Sequence, residues 1–355
     1  MDFTLTADQD ELGGLTRQIL TSQASAGRGP WAELARAGVL AAALPESAGG
    51  DGLGLLEQCS VLIEIGRAAA DVPYLPSIVL GASALARFGS PGQQRLAEQA
   101  GRGEIVLAAA LADDSTANHG AEATAHEAAG GWRLTGVETA VPAGAVARAF
   151  LVPAVTPAGN AAVFVVEPGE VSVQPQQVTG CPDAALVDLG SAFVPGDRIV
   201  GGIEAGAGIA DWLRDRATVG LCALQLGVTE RALELTADYA RSREQFGKPI
   251  GSFQAVSQRL ADSYIDVEAI RLTLWQAAWR IAEGLPAETE VATAKFWAAE
   301  GGHRVAHTAV HVHGGVGIDM DAEVHRYYAA AKFNEFALGG ATAQLRRIGA
   351  VLAAD

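Results

Sequence analysis

The sequence predicts an α+β protein in which a helical segment, a strand-rich segment and a longer helical segment follow one another along 355 residues. Three observations carry this reading. Apolar residues recur at helical spacing from Thr6 to about Arg102, and again from Gly208 onward. Between Glu104 and Ile199 they come instead in short runs broken by Gly, Pro, Asn and Asp. Strand and helix patterns never alternate as βαβ units do, which excludes a parallel doubly wound sheet. The expected domains are 1–103 (helical), 104–205 (central β) and 206–355 (a C-terminal four-helix bundle).

In the first segment, Leu12, Leu15 and Ile19, and later Leu56, Leu62, Ile63 and Ile65, mark helix faces. Pro45 and the glycines Gly49, Gly50, Gly52 and Gly54 interrupt them, so a loop between helices is expected there. The runs IVLAAAL, GWRLTG, ARAFLVPAV and AAVFVVE are the candidate strands. Beyond Gly208, Leu233, Tyr239, Leu260, Ile265, Leu272 and Trp279 restore the helical period, and Trp275, Trp279 and Trp297 read as bundle packing.

Composition narrows the function classes. A formal net charge of −16 opposes nucleic-acid and anionic-membrane binding, since both need a positive field. Cys59, Cys181 and Cys222 are far apart and lack CxxC spacing, which fits a reducing cytoplasm and no metal site. The opening MDFTLTADQDELGGL is acidic where an export signal is basic, and no apolar run has the length of a membrane span, so a soluble cytoplasmic protein is expected. His303 and His307 stand at i and i+4, a spacing compatible with metal ligation, but no HExxH glutamate accompanies them.

The most informative stretch is Arg241 to Asp262, RSREQFGKPIGSFQAVSQRLAD, which joins two helical patterns through a Gly-Lys-Pro-Ile-Gly turn. With LPESAGGDGLGLLE (44–57), Glu64-Ile65-Gly66-Arg67 and HVHGGVGI (311–318), it resembles the acyl-CoA dehydrogenase family over essentially the whole chain. That family carries R-x-x-F-G-x-x-I-x-x-F-Q at the corresponding place.

The resemblance implies FAD bound across a subunit interface. It implies that Arg243 reaches the pyrophosphate of a neighbouring chain's cofactor, a task suited to a planar guanidinium fork. It further implies that Gln245, Phe246 and Gln254 contact the adenosine end, that His311 stands where a glutamine usually contacts FAD, and that Gly314 and Gly315 admit close backbone approach. Taken alone, an arginine at a helix end is ordinarily a solvated charge and HGG an ordinary turn.

The family's reaction needs a carboxylate base to remove the α-proton while hydride leaves the β-carbon. Against the usual Tyr-Glu-Gly-Thr-like segment this chain reads Ala337-Leu338-Gly339-Gly340-Ala341-Thr342, with Gly339 assigned to the base position; the alternative position, counted back from Arg243, is Ala217. The flavin-contacting runs also depart, to Leu111-Ala112-Asp113-Asp114 and Ala140-Val141-Pro142. No catalytic residue is therefore expected. The pattern resembles the non-catalytic subunit of actinobacterial α2β2 acyl-CoA dehydrogenases that shorten steroid side chains. The implied partners are a homologous catalytic subunit, a bulky acyl-CoA and electron-transfer flavoprotein. Two alternatives stay open: a homomeric enzyme with a displaced base, Glu335 or Asp215, and a non-enzymatic scaffold.

Overall fold

The computed structural model describes residues 3–22, 29–111 and 123–354. Helices come first: α1 (Ala7–Ser22), α2 (Pro30–Arg36), α3 (Leu55–Arg67), α4 (Ser83–Phe88) and α5 (Pro91–Gly101). Nine strands follow: β1 (Leu107–Ala109), β2 (Thr124–Ala128), β3 (Gly131–Thr135), β4 (Val137–Val141), β5 (Ala149–Val155), β6 (Ala161–Val166), β7 (Ser172–Pro175), β8 (Ala185–Asp188) and β9 (Ala192–Pro195). Then come α6 (Gly206–Ser242), a hairpin of β10 (Glu244–Gln245) and β11 (Lys248–Pro249), α7 (Gln254–Ala282), α8 (Glu288–His313), α9 (Glu323–Phe336) and α10 (Ala341–Ala354). The helix–strand–helix order is the expected one. The glycine-rich interruption before α3 is a short 3-10 turn, Glu46–Ala48, flanked by tight turns.

By compactness the chain forms two units, each with its own core. One comprises 22–58 and 71–220; the other comprises 1–21, 59–70 and 221–355. These borders do not follow element type: α3 and α6 each contribute to both units.

The mixed unit holds two sheets. Strands β1, β5, β2, β3 and β9 lie side by side with β6 paired to β5; β1 runs parallel to β5, whereas β2–β3, β3–β9 and β5–β6 are antiparallel. A second antiparallel sheet has the order β4-β8-β7. Phe150, Val152, Phe164 and Leu134 from the first sheet and Val187 and Val141 from the second fill one shared core. β5 and β6 are apolar along most of their length because they are buried on both faces. Leu75–Ala82, within the segment expected to be mostly helical, is a fully buried π-helix.

In the helical unit the Glu64-Ile65-Gly66-Arg67 motif acquires a structural meaning. A Cβ on Gly66 would lie 2.2 Å from the carbonyl oxygen of Leu224, and one on Gly227 would lie 1.9 Å from that of Ile63. Paired glycines thus let the backbones of α3 and α6 touch. Charges lock the crossing: Arg17 donates two hydrogen bonds to the Glu64 carboxylate, and Arg67 reaches Glu230 at 2.6 Å and Glu234 at 2.7 Å. Arg271 of α7 closes the chain of ion pairs on Glu230 at 2.6 Å. The side chain of Glu64 is only 7% exposed and that of Glu230 12%, and each carboxylate is compensated by two arginines, Glu64 by Arg17 and Arg67 and Glu230 by Arg67 and Arg271.

A buried polar network ties α6, α8 and α9 together. Lys295, fully buried, donates to the carbonyl oxygens of Asn334 (3.0 Å) and Glu335 (3.1 Å), two of the groups that the end of α9 leaves open. Asn334 Nδ2 donates to Gln225 Oε1 at 3.0 Å. The three cysteines are buried and form no disulfide among the described residues; burial pushes the Cys181 and Cys222 thiols up to about 12, which makes these two unreactive. No helix among the described residues is long and apolar enough to cross a membrane.

Candidate functional site

Helix α6 ends at Ser242 and the chain reverses at once. Phe246 (φ +54°) and Gly247 (φ +75°) form a two-residue loop between Gln245 and its partner Lys248. Two successive positive φ values match the twist of a hairpin, and Asn-Gly usually supplies them. Here the first is a phenylalanine, at a strain of about 1 kcal/mol. Its ring is 92% exposed, so packing does not compensate the strain. The reversal therefore sits at Phe246–Gly247, at the start of the expected Gly-Lys-Pro-Ile-Gly turn; Ile250–Ser252 forms a separate 3-10 turn leading into α7.

Arg243 lies at the base of this hairpin, held by backbone bonds from its N–H to Tyr239 and from Ile250 N–H to its carbonyl. Its neighbour Arg241 is committed to Asp238. The guanidinium of Arg243 is exposed and has no hydrogen bond or ion pair among the described residues. Gln245 is exposed, with its amide bonded to the adjacent Glu244 carbonyl, and Gln254 opens α7 with its side chain in solvent. Lys248 Nζ stands 4.5 Å from the centre of the Phe253 ring, and Phe246 meets the same ring edge-on at 6.1 Å.

The second half of the predicted set joins the first through a contact that sequence reasoning missed. His313, buried at the end of α8, stacks on Tyr239 of α6 with ring centres 4.4 Å apart and bonds through Nδ1 to the Ala309 carbonyl. This stack holds His311, Gly314 and Gly315 at the same end of the bundle as Arg243. His311 and both glycines are exposed, Gly314 ends α8 with φ +62°, and a Cβ on Gly315 would meet nothing within 4 Å. Val316, Ile318 and Met320 extend this surface as exposed apolar residues. Free cationic donors, an exposed aromatic ring and bare glycine backbone together suit a phosphate-bearing, ring-containing ligand.

At the two positions expected for the base, this chain carries no proton-accepting side chain. Ala217 is buried, and the neighbouring Thr218 hydroxyl donates to the Arg214 carbonyl at 2.8 Å. Gly339 follows Leu338 in a turn where both have positive φ (+56° and +87°). Gln344 pins that turn, its amide donating to the carbonyl oxygens of Leu338 and Gly339, each at 3.0 Å. Gly340 comes next, so a one-residue shift in register still yields glycine. Glu335 projects elsewhere: its carboxylate is bound by Lys332 at 2.8 Å and lies 3.0 Å from His303 Nδ1. Asp215 is half-buried within α6.

Of the flavin-side departures, Ala112, Asp113 and Asp114 lie outside the described residues. Ala140 takes a positive φ of 52°, and its N–H donates to Gln176 Oε1 at 2.7 Å, so this backbone donor is already satisfied internally. His303 and His307 do share a helix face, with ring centres 4.3 Å apart, but a lysine ammonium sits against them; among the described residues no group of three or more His, Cys, Asp or Glu could hold a metal.

Comparison with known proteins agrees with the fold. Residues 11–100 match the acyl-CoA dehydrogenase N-terminal domain and residues 205–353 the acyl-CoA dehydrogenase C-terminal domain. The chain is 51% identical to acyl-CoA dehydrogenase FadE27 of Mycobacterium tuberculosis, covering 99% of both chains, and 33% identical to FadE28 of the same organism, covering 99% and 98%. Among solved structures, a chain of the ChsE4-ChsE5 complex from Mycobacterium tuberculosis superposes with a TM-score of 0.94 at 51% identity over 100% of both chains. Butyryl-CoA dehydrogenase from Megasphaera elsdenii gives a TM-score of 0.88 at 25% identity, covering 99% of this chain and 100% of that one. A helix–strand–helix architecture, a motif-bearing hairpin and end-to-end similarity of this extent converge: the chain belongs to the acyl-CoA dehydrogenase family.

Proposed function

We propose that this chain is the non-catalytic subunit of a heteromeric FAD-dependent acyl-CoA dehydrogenase, lending cofactor contacts to a homologous partner that carries the glutamate base. The observation that carries the reading is a contrast within one chain. Arg243, Phe246 and the glycines after His313 stand exposed, whereas both positions expected for the base are filled by residues without a proton-accepting group.

The exposed surface fits FAD. Arg243 would hold the pyrophosphate through two parallel charge-assisted hydrogen bonds. Phe246 and Gln245 would meet the adenosine end with Gln254, His311 would offer one ring nitrogen, and Gly314 and Gly315 would let the backbone approach. FAD held by these residues would supply the hydride acceptor for oxidation of the acyl-CoA to its trans-2-enoyl-CoA. Removal of the α-proton falls to the partner's carboxylate, and this chain's residues bind and orient. Electron-transfer flavoprotein would then reoxidise the flavin.

Similarity to a chain of the ChsE4-ChsE5 complex and, at 38% identity and a TM-score of 0.90, to a variant of the Tcur3481-Tcur3483 steroid ACAD supports the heteromeric arrangement and a bulky acyl group. The displaced-base alternative loses its first candidate, because the Glu335 carboxylate is occupied by Lys332 and His303.

The test is flavin absorbance per chain together with acyl-CoA-dependent dye reduction, on the chain alone and co-expressed with a homologous partner. The expected result is a colourless, inactive lone chain and a yellow, active pair carrying about half a flavin per chain, since only sites with an intact base-bearing half are retained. A yellow and active lone chain would overturn the reading.

A further inference from the structure

Outside the proposed cofactor surface, a cluster of titratable groups lies along the seam of α8 and α9. Lys332 and Glu335 of α9 face His303 of α8. Lys332 Nζ is 2.8 Å from Glu335 Oε2 and 2.9 Å from His303 Nδ1, and that same ring nitrogen is 3.0 Å from Glu335 Oε1. His307 packs against His303, and Tyr328 meets His307 edge-on at 5.6 Å while lying 5.6 Å beneath the Lys332 ammonium.

One nitrogen cannot serve both neighbours. If Nδ1 is bare it accepts from Lys332, and its lone pair then faces a carboxylate oxygen. If it carries a proton, as in the neutral Nδ1–H tautomer or the imidazolium, it donates to Glu335, and that N–H then faces an ammonium. Each arrangement makes one good bond and one bad contact, so the proton decides which bond exists.

We propose that His303 is the moving part of a proton-driven latch between α8 and α9, passing from accepting Lys332 to donating to Glu335. Access and shielding are both suited to this. The His303 side chain is 44% exposed and exchanges protons with water, whereas Glu335 and Lys332 are 12% and 16% exposed and act on it with little screening. Burial, then the charges of Lys332 and His303, hold His307 below its ordinary 6.5. On α7, Asp266 faces α8 and is already bound by Arg304, which Glu300 also engages. Among the described residues α10 places no charged group in an ion pair with the cluster. The segment that feels the exchange is the last turn of α9, whose Asn334 and Glu335 carbonyls Lys295 caps and from which the Leu338–Gly339 turn departs.

The experiment is a pH titration of histidine ring nitrogens by NMR on the full chain with isotope-labelled histidine. There are seven histidines, and His303→Gln identifies the signal by its loss. The expected result is a neutral form protonated on Nε2 and an acid form that gains the proton on Nδ1. Lys332→Met should raise the midpoint and Glu335→Gln should lower it, each by about one unit. Circular dichroism checks that both variants fold. A neutral form protonated on Nδ1, or midpoints in both variants that coincide with the parent's, would overturn the proposal.

Discussion

Gly339 and Gly340 are chemically identical neighbours in different backbones. A Cβ on Gly339 would lie 3.0 Å from Ala343 Cβ and 3.2 Å from Gln344 Nε2, in a residue whose φ is +87°. On Gly340 the nearest atoms are 3.6 Å and 3.9 Å away, ordinary contacts. Gly339→Ala should therefore destabilise the chain by about 1–2 kcal/mol, and Gly340→Ala by less than about 0.5 kcal/mol. Urea denaturation of the two variants measures this, and the opposite ranking would show that the left-handed residue is not Gly339. The turn thus accommodates a side chain more readily at 340 than at 339.

At the scale of elements, the α3–α6 crossing depends on two missing side chains. Gly227→Ala forces a methyl group against the Ile63 carbonyl and should cost about 3 kcal/mol, seen as a lower denaturation midpoint with an unchanged slope. Beside it, burial raises the Glu234 pKa, but hydrogen bonds and charges from Arg67 and Arg231 outweigh this and hold it below its ordinary 4.5. A carboxyl depressed in the folded state contributes stability that is present above its unfolded pKa and lost as pH falls below about 4.5. Glu234→Gln should therefore flatten part of the acid limb of a stability-versus-pH curve while leaving a smaller loss at neutrality, because much of this ion pair is in water. A curve of unchanged shape would mean that the pair contributes nothing. The sequence made the helical and strand segments legible because their periods differ, and it made the hairpin legible because Arg243, Phe246 and Gln254 stand at a recognisable spacing. It did not reveal the Tyr239–His313 stack, whose members lie far apart in the chain. Lys295 carried a fainter signal: it shares a helix face with Val291, Ala298 and Gly302, where a charge is out of place unless it has partners. The partners are backbone carbonyls, to which sequence pattern is blind.

For the whole molecule, the question is whether the exposed end of the helical unit is built for its own stability or for something outside the chain. Phe246 is strained and 92% exposed, Arg243 has no ion pair among the described residues of a chain whose net charge is −16, and neither side chain is buried. Arg243→Ala should therefore leave the unfolding free energy of the isolated chain within about 0.5 kcal/mol of the parent. In the assembled complex the same change removes a charge-assisted contact worth about 1.5–3 kcal/mol, so flavin affinity should fall by about 10- to 100-fold. Flavin retained after gel filtration at low concentration, compared with a denaturation curve of the lone chain, separates the two effects. A loss of stability with flavin retention unchanged would assign Arg243 to folding and remove it from the cofactor surface. Loss of flavin without loss of stability is the signature of a residue whose partner lies in another subunit.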